Sequence, residues 1–469
     1  MWLNKTLIYG LFLTLTSVIT SAQNTAIPDP NFEQVLIDIG LDTAPINGLV
    51  PTANINTITN LDVAGKNILD LTGIEAFTAL QMLDCSVNLL TSLNVSNNTS
   101  LKELYIYNNQ IPTINLSLLT DLKILWCFSN ILSNLNVNNQ TELISLVCWD
   151  NNLSSLNTSN NTKLNVLVCD NNNISTLDVS KNTTLSRFQC GTNLISNLDV
   201  SNNLNLSYLS CENNQLTTLN VNVNNSLNTL YCQFNALTAL DVSNNKSLIF
   251  LDCSNNQLCE LNVKNTNNSN ATVNFSSNLN LNCVVVDNPT GTHTNWLPAG
   301  FSNYVSNQDQ CSNFVNIDRL ESVITNTLYT LPGLTYGNYF TETGGQGTPL
   351  FPGENINTSQ TIYIYNESVC ATNESNFTVL ITSEAYYIPK YFTPNNDGVH
   401  DVWKVQDFNN SIKNIAIYNR YGKLLKYLPA NTSGWNGIFN GKLLETNDYW
   451  YAITLHTGET ITGHFVLKR

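Results

Sequence analysis

The sequence predicts a solenoid of short coils built on a parallel β-sheet with little helix, followed by two all-β sandwich domains. Three observations predict it. Nine asparagines (Asn88, Asn109, Asn130, Asn151, Asn172, Asn193, Asn214, Asn235 and Asn256) recur every 21 residues without a slip. Around each, the chain reads approximately L-x-x-L-x-C-x-x-N-x-L-x-x-L-x-V, as in Leu206, Leu209, Cys211, Asn214, Leu216, Leu219 and Val221. From about residue 312 the period vanishes and short β-prone runs take over, separated by Gly and Pro. A fixed period in the twenties means one supersecondary unit stacked many times, because no single coil buries its own apolar face.

The elements follow in order. Lys5, the apolar run Leu7 to Leu15 and the small residues Thr20-Ser21-Ala22 read as a cleavable secretory signal over 1–22. A membrane anchor fits less well, since the run is too short to span a bilayer, and no later segment reaches spanning length. Residues 23–58 read as an N-terminal cap. Asp29 and Pro30 start a helix there, Phe32, Val35, Leu36 and Ile39 give it an apolar face, and Gly40 stops it.

The solenoid is expected over 59–283. Its first coil is slightly long, and its last comes one residue late at Val273, Phe275 and Asn278. In each coil the L-x-C stretch alternates like a strand, and the asparagine three residues on turns the chain. A buried Asn bonds backbone groups of its own coil and the next, so stacking repeats those bonds as a ladder. The opposite side, L-x-V-S-x-N, is expected to be extended or 3₁₀, since 21 residues leave little room for a helix.

Cys85, Cys127, Cys148, Cys169, Cys190, Cys211, Cys232 and Cys253 occupy one inward position of successive coils, and Ile106 fills it in the coil that lacks cysteine. The position therefore asks for a modest apolar side chain rather than a reactive thiol. Parallel neighbours about 4.8 Å apart also hold Cβ atoms wider than the disulfide value of about 3.8 Å, and one row cannot converge on a metal tetrahedrally. Cys259, Cys283, Cys311 and Cys370 lie outside this ladder, and Cys259–Cys283 across the capping coil is the favoured pairing.

This block resembles leucine-rich repeats, of the short cysteine-containing type seen in internalin-like surface proteins. The resemblance implies an extracellular recognition module. A C-terminal cap over 284–311 and a β-sandwich spacer over 312–383 follow, the latter from runs such as Thr361-Ile-Tyr-Ile-Tyr and Asn376-Phe-Thr-Val-Leu-Ile.

Residues 384–469 contain Tyr391-Phe-Thr-Pro-Asn-Asn-Asp-Gly-Val-His400, Gly434-Trp-Asn-Gly437 and a terminal β-prone run Gly463 to Arg469. Tyr421-Gly422 and Thr457-Gly458 read as hairpin turns in a compact β-sandwich. The segment resembles the gliding-motility-associated C-terminal domain, the type B sorting signal of the type IX secretion system. Family patterns often show Asn where this chain has His400. The resemblance implies a partner in the type IX machinery, carriage across the outer membrane of a Gram-negative cell, and display at or release from the surface.

With a net charge of −15 and only 11% charged residues, neither nucleic acid nor anionic membrane is an expected partner. His293, His400, His456 and His464 all lie outside the repeats, and no catalytic triad, H-E-x-x-H or phosphate loop is present, so neither catalysis nor a cofactor is expected. Asn395, Asn396, Asp397 and Asp401 form an oxygen-rich loop whose spacing fits an Asx turn better than a calcium loop.

Outward columns beside the ladder bring Tyr105, Tyr107, Trp126, Phe128 and Trp149 into one cluster on the concave sheet face. Such a cluster exceeds an ordinary surface patch, and it serves either to brace neighbouring coils or to bind protein, peptide or sugar rings. The leading expectation is an exported, non-enzymatic binding or adhesion protein with an unknown protein or glycan ligand on this face. A structural stalk is the first alternative, and an enzyme acting on polysaccharide the second.

Overall fold

A computed structural model describes residues 23–266, 271–396 and 400–469. The expected leader, 1–22, lies outside the described residues, and so does Asp397 of the oxygen-rich loop. The chain forms two compact units, Met1–Cys311 and Ser312–Arg469.

The first unit is a parallel solenoid, as the sequence predicts. Its main sheet has 12 strands, from Asn60–Asp62 at one end to Thr272–Asn274 and Trp296–Leu297 at the other. Strands three residues long sit one per coil and pair in register, Leu83 with Leu104 and Leu104 with Leu125. The leucines, the eight cysteines and Ile106 are buried in one continuous core. A second parallel sheet of four strands (Ala239–Asp241, Glu260–Asn262, Val284–Val285 and Tyr304–Val305) covers the other side of the last coils only. In earlier coils that side is a tight turn, as where Asn182 N donates to Val179 O at 3.0 Å.

Each ladder asparagine stitches two coils. Asn172 Nδ2 donates to Cys148 O of the preceding coil and to Cys169 O and Asp170 O of its own, at 3.1–3.2 Å. Its Oδ1 accepts from Leu153 N at 3.0 Å. Closing bonds to carbonyls two and three residues back forces the residue before each asparagine into the left-handed region, with φ between 50° and 56°. Asn108, Asp150, Asn171, Asn213 and Asn255 tolerate that conformation, whereas Val87, Thr192 and Phe234 hold it under strain.

A second polar ladder, unremarked in the sequence, runs through the opposite turns. Asn161, Asn182, Asn203, Asn224 and Asn245 are completely buried, and each Nδ2 donates to two carbonyls of the preceding coil, as Asn203 does to Val179 O and Asn182 O. Asn182 Oδ1 accepts from Thr158 Oγ1 at 2.9 Å, because Thr158 stands where Val179 and Val200 stand in later coils. The signal was another 21-residue asparagine column, masked by the many exposed asparagines around it.

At the N-terminal end a helix spans Pro30–Asp38. Asp29 Oδ1 caps it through Asn31 N and Phe32 N, while Oδ2 accepts Leu69 N and Asp70 N, so one carboxylate ties cap to first coil. Phe32, Val35 and Leu36 are buried, but Ile39 is 51% exposed. Ile39 is the C-cap residue, past the last turn, where the helical register no longer aims it at the core. At the other end Cys283 is bonded to Cys311, not Cys259, across a Cα separation of 5.5 Å. Asn262 pairs with Val285, which sets Cys283 opposite Glu260 and turns Cys259 to the other face of the strand.

The second unit holds two β-sheet regions. In the first, a five-stranded sheet packs with the ribbon Tyr329–Thr330/Asn355–Ile356 around Leu331, Tyr339, Ile356, Ile362, Ile364, Phe377 and Val379. In the second, a five-stranded sheet (Tyr391–Phe392, Thr460–Leu467, Asn447–Leu455, Ile412–Tyr418, Leu424–Pro429) surrounds Trp403, Trp435, Phe392 and Phe465. Trp403 stacks on Phe465 at 4.0 Å, and Trp403 and Trp435 exchange backbone hydrogen bonds. The G-W-x-G motif has a steric cause. Gly434 and Gly437 both have positive φ, and added Cβ atoms would meet Trp403 O at 2.9 Å and Leu467 Cδ1 at 2.5 Å. His400 has φ 55°, in the left-handed region that His, Asn and Asp enter more readily than bulky residues.

Candidate binding face of the solenoid

Alternation along each short strand turns leucine and cysteine inward and leaves three outward columns. The third column begins Ser86, Tyr107, Phe128, Trp149, Asp170, Gly191, Glu212. Parallel register carries equivalent residues side by side, so like residues in successive coils meet.

Tyr107 stacks on Phe128 with centroids 4.4 Å apart and planes within 7°, and Phe128 stacks on Trp149 at 4.8 Å and 11°. In the neighbouring column Tyr105 meets Trp126 edge to face at 5.2 Å. Trp126 Nε1 donates to Ser145 Oγ at 3.2 Å and Tyr105 OH donates to Glu103 Oε2 at 2.9 Å. Burial, then that carboxylate, push the Tyr105 phenol up to about 12. All five rings are partly exposed, Trp126 most at 36%. The stack covers its own inner ring faces. What it leaves uncovered is ring edges, the Tyr105–Trp126 pair, and the outer faces of the two end rings, Tyr107 and Trp149.

The same column continues into a carboxylate pair that sequence reasoning passed over. Gly191 separates Asp170 from Glu212, and a Cβ there would meet Glu212 Oε1 at 2.5 Å, so the missing side chain makes room for the Glu212 carboxylate. Asp170 Oδ1 accepts from Gly191 N at 2.7 Å. Burial lifts the Asp170 carboxyl to about 6 against that amide, and the charge of Glu212 adds to the rise. Ser210 Oγ donates to Glu212. Arg187 lies 4.2 Å over the Tyr208 ring and donates through Nε to Gln189. The signal was the lone glycine in an otherwise bulky column.

The thiol ladder is chemically quiet. All eight are free and buried, and burial pushes their pKa upward, Cys127 to about 12. Among the described residues no group of three or more His, Cys, Asp or Glu side chains is placed to hold a metal ion, and no helix is long and apolar enough to cross a membrane.

Residues 386–467 match the profile of the CHU_C type IX secretion signal domain. Among solved structures the chain is similar to the functional domain of InlJ from Listeria monocytogenes, described as including a cysteine ladder. That match has 23% identity over 78% of this chain and 100% of the other, with a TM-score of 0.48. An internalin from the same organism, InlF, matches at 22% identity over 57% of this chain and 99% of the other, with a TM-score of 0.38. No curated protein matches. The chain is a parallel solenoid of 21-residue coils with buried leucines, and its residues 386–467 match a type IX secretion signal domain. That signal marks it for export and implies contact with the secretion machinery.

Proposed function

We propose that this is a binding or adhesion protein without catalytic activity, shown at or released from the outer surface of a Gram-negative cell. Its ligand, a protein or glycan, engages the outward sheet face at Tyr105, Tyr107, Trp126, Phe128 and Trp149. The observation that carries the proposal is five partly exposed rings gathered on three neighbouring coils, held in place by stacking and by two side-chain hydrogen bonds. Tyr and Trp that are rigid before contact lose little entropy on binding.

The test replaces Tyr105 and Trp126 together with Ala and measures adhesion and glycan-array signal. Binding should weaken by about 2–4 kcal/mol. A folded double variant that binds everything the parent binds ends the proposal. The stacking also favours a second reading, a stalk whose rings only brace adjacent coils. That reading predicts a loss of thermal stability in the variant and no ligand for the parent.

A further inference from the structure

The charge of the chain is divided unevenly. Residues 386–469 hold nine of the 19 lysines and arginines but only six of the 34 acids. Between Phe408 and Leu444 there are five cations (Lys413, Arg420, Lys423, Lys426 and Lys442) and no acid at all. An otherwise acidic protein thus ends in a domain with a basic flank.

That flank borders a groove of mixed polarity with an apolar floor. The turn after strand Ile412–Tyr418 and the ribbon Ile438–Phe439/Lys442–Leu443 enclose about 530 Å³ lined by Tyr421, Leu425, Phe439 and Leu443. Tyr421 is 77% exposed and Leu443 65%, unusual for large apolar side chains. Arg420 and Lys442 line the groove, and Lys423 Nζ lies 5.1 Å over the Phe439 ring. Glu445 and Asp448 line the same groove, and Asp448 lies 3.6 Å from His464 Nδ1. The adjoining strand Leu424–Pro429 is a sheet edge, yet Lys426 and Pro429 blunt it against strand addition. What remains is recognition by side chains.

We propose that this groove and its basic rim are the face by which the signal domain docks on the secretion machinery. The partner surface is an acidic protein segment that inserts an apolar side chain between Tyr421 and Leu443 while its carboxylates meet Arg420, Lys423 and Lys442. A groove deep enough for a side chain favours protein over a flat array of anionic lipid headgroups.

The test uses the full chain in a host with an active type IX system, with export read by surface protease accessibility and immunoblot of the medium. Arg420→Glu with Lys442→Glu, and separately Tyr421→Ser with Leu443→Ser, should each lower export by about tenfold or more while the retained protein stays protease-resistant. The control, Lys390→Glu with Lys404→Glu, reverses the same charge at exposed positions of the domain away from the groove and should export normally. Normal export of both groove variants, or equal failure of the control, overturns the proposal. Purified protein should bind poly-L-glutamate through the same rim. Binding to phosphatidylglycerol vesicles, but not to poly-L-glutamate, that is lost in the charge reversal overturns it in favour of a lipid.

Discussion

In the solenoid, the side chains that lock neighbouring coils together are polar and local. Asn172 reaches only its own coil and the one before it, and the same four bonds recur at each step. In the C-terminal sheet region the locking side chains are aromatic and distant in sequence, as where Trp403 stacks on Phe465 and pairs its backbone with Trp435. The first arrangement spreads stability over many nearly equal interfaces, and damage to one is felt by its neighbours. The second concentrates it in a few large residues whose loss is felt by a whole sheet.

Four substitutions test that contrast. Trp403→Ala removes one of the two largest fully buried side chains of the C-terminal core and should cost about 3–5 kcal/mol. In denaturant titration the C-terminal transition should move and the solenoid transition should not. Asn172→Ala leaves Leu153 N without its acceptor and takes one of two donors from Cys148 O, Cys169 O and Asp170 O, and should cost the solenoid about 1–3 kcal/mol. If the penalty equals that of an exposed asparagine such as Asn171, the ladder is not what holds the coils.

Asp170→Asn probes the outward face. The carboxyl sits at about 6 when folded against its ordinary 3.8, so the folded state holds the proton more tightly. Stability should therefore fall as pH rises from about 4 to about 6, and the variant should be flatter across that window and about 1 kcal/mol more stable at pH 7. A difference curve without slope there would refute the buried-carboxylate description. The smallest effect is a gain: Phe234→Asn relieves a non-glycine φ of 55° at a side chain 52% exposed, and should add about 0.5–1 kcal/mol.

Much of the solenoid was legible because each coil repeats one local rule. Period, inward leucine and cysteine positions and the asparagine turn all follow from side-chain alternation and the need to satisfy buried amides. Where the rule ends, legibility ended too. Ile39 fell beyond its helix, and Cys283 found Cys311 because a one-residue strand register, invisible in spacing, decides which side chains share a face. The aromatic cluster could be placed on neighbouring coils from its columns, but not its geometry. That Phe128 is covered on both faces, and Tyr107 and Trp149 on one each, depends on rotamers chosen by packing.

By itself, then, the sequence determined the spacing of the coils, the buried frame and the C-terminal export signal, since these rest on period and motif; the last strand of the main sheet, Trp296–Leu297, lies in the stretch expected to be a cap. Only the tertiary structure decided which rings are edge-exposed, that Glu212 leans over Gly191, and that Arg420, Tyr421, Lys442 and Leu443 of the last domain meet at one groove. Each of those depends on side chains from separate segments meeting in space, where distance in the chain carries no information.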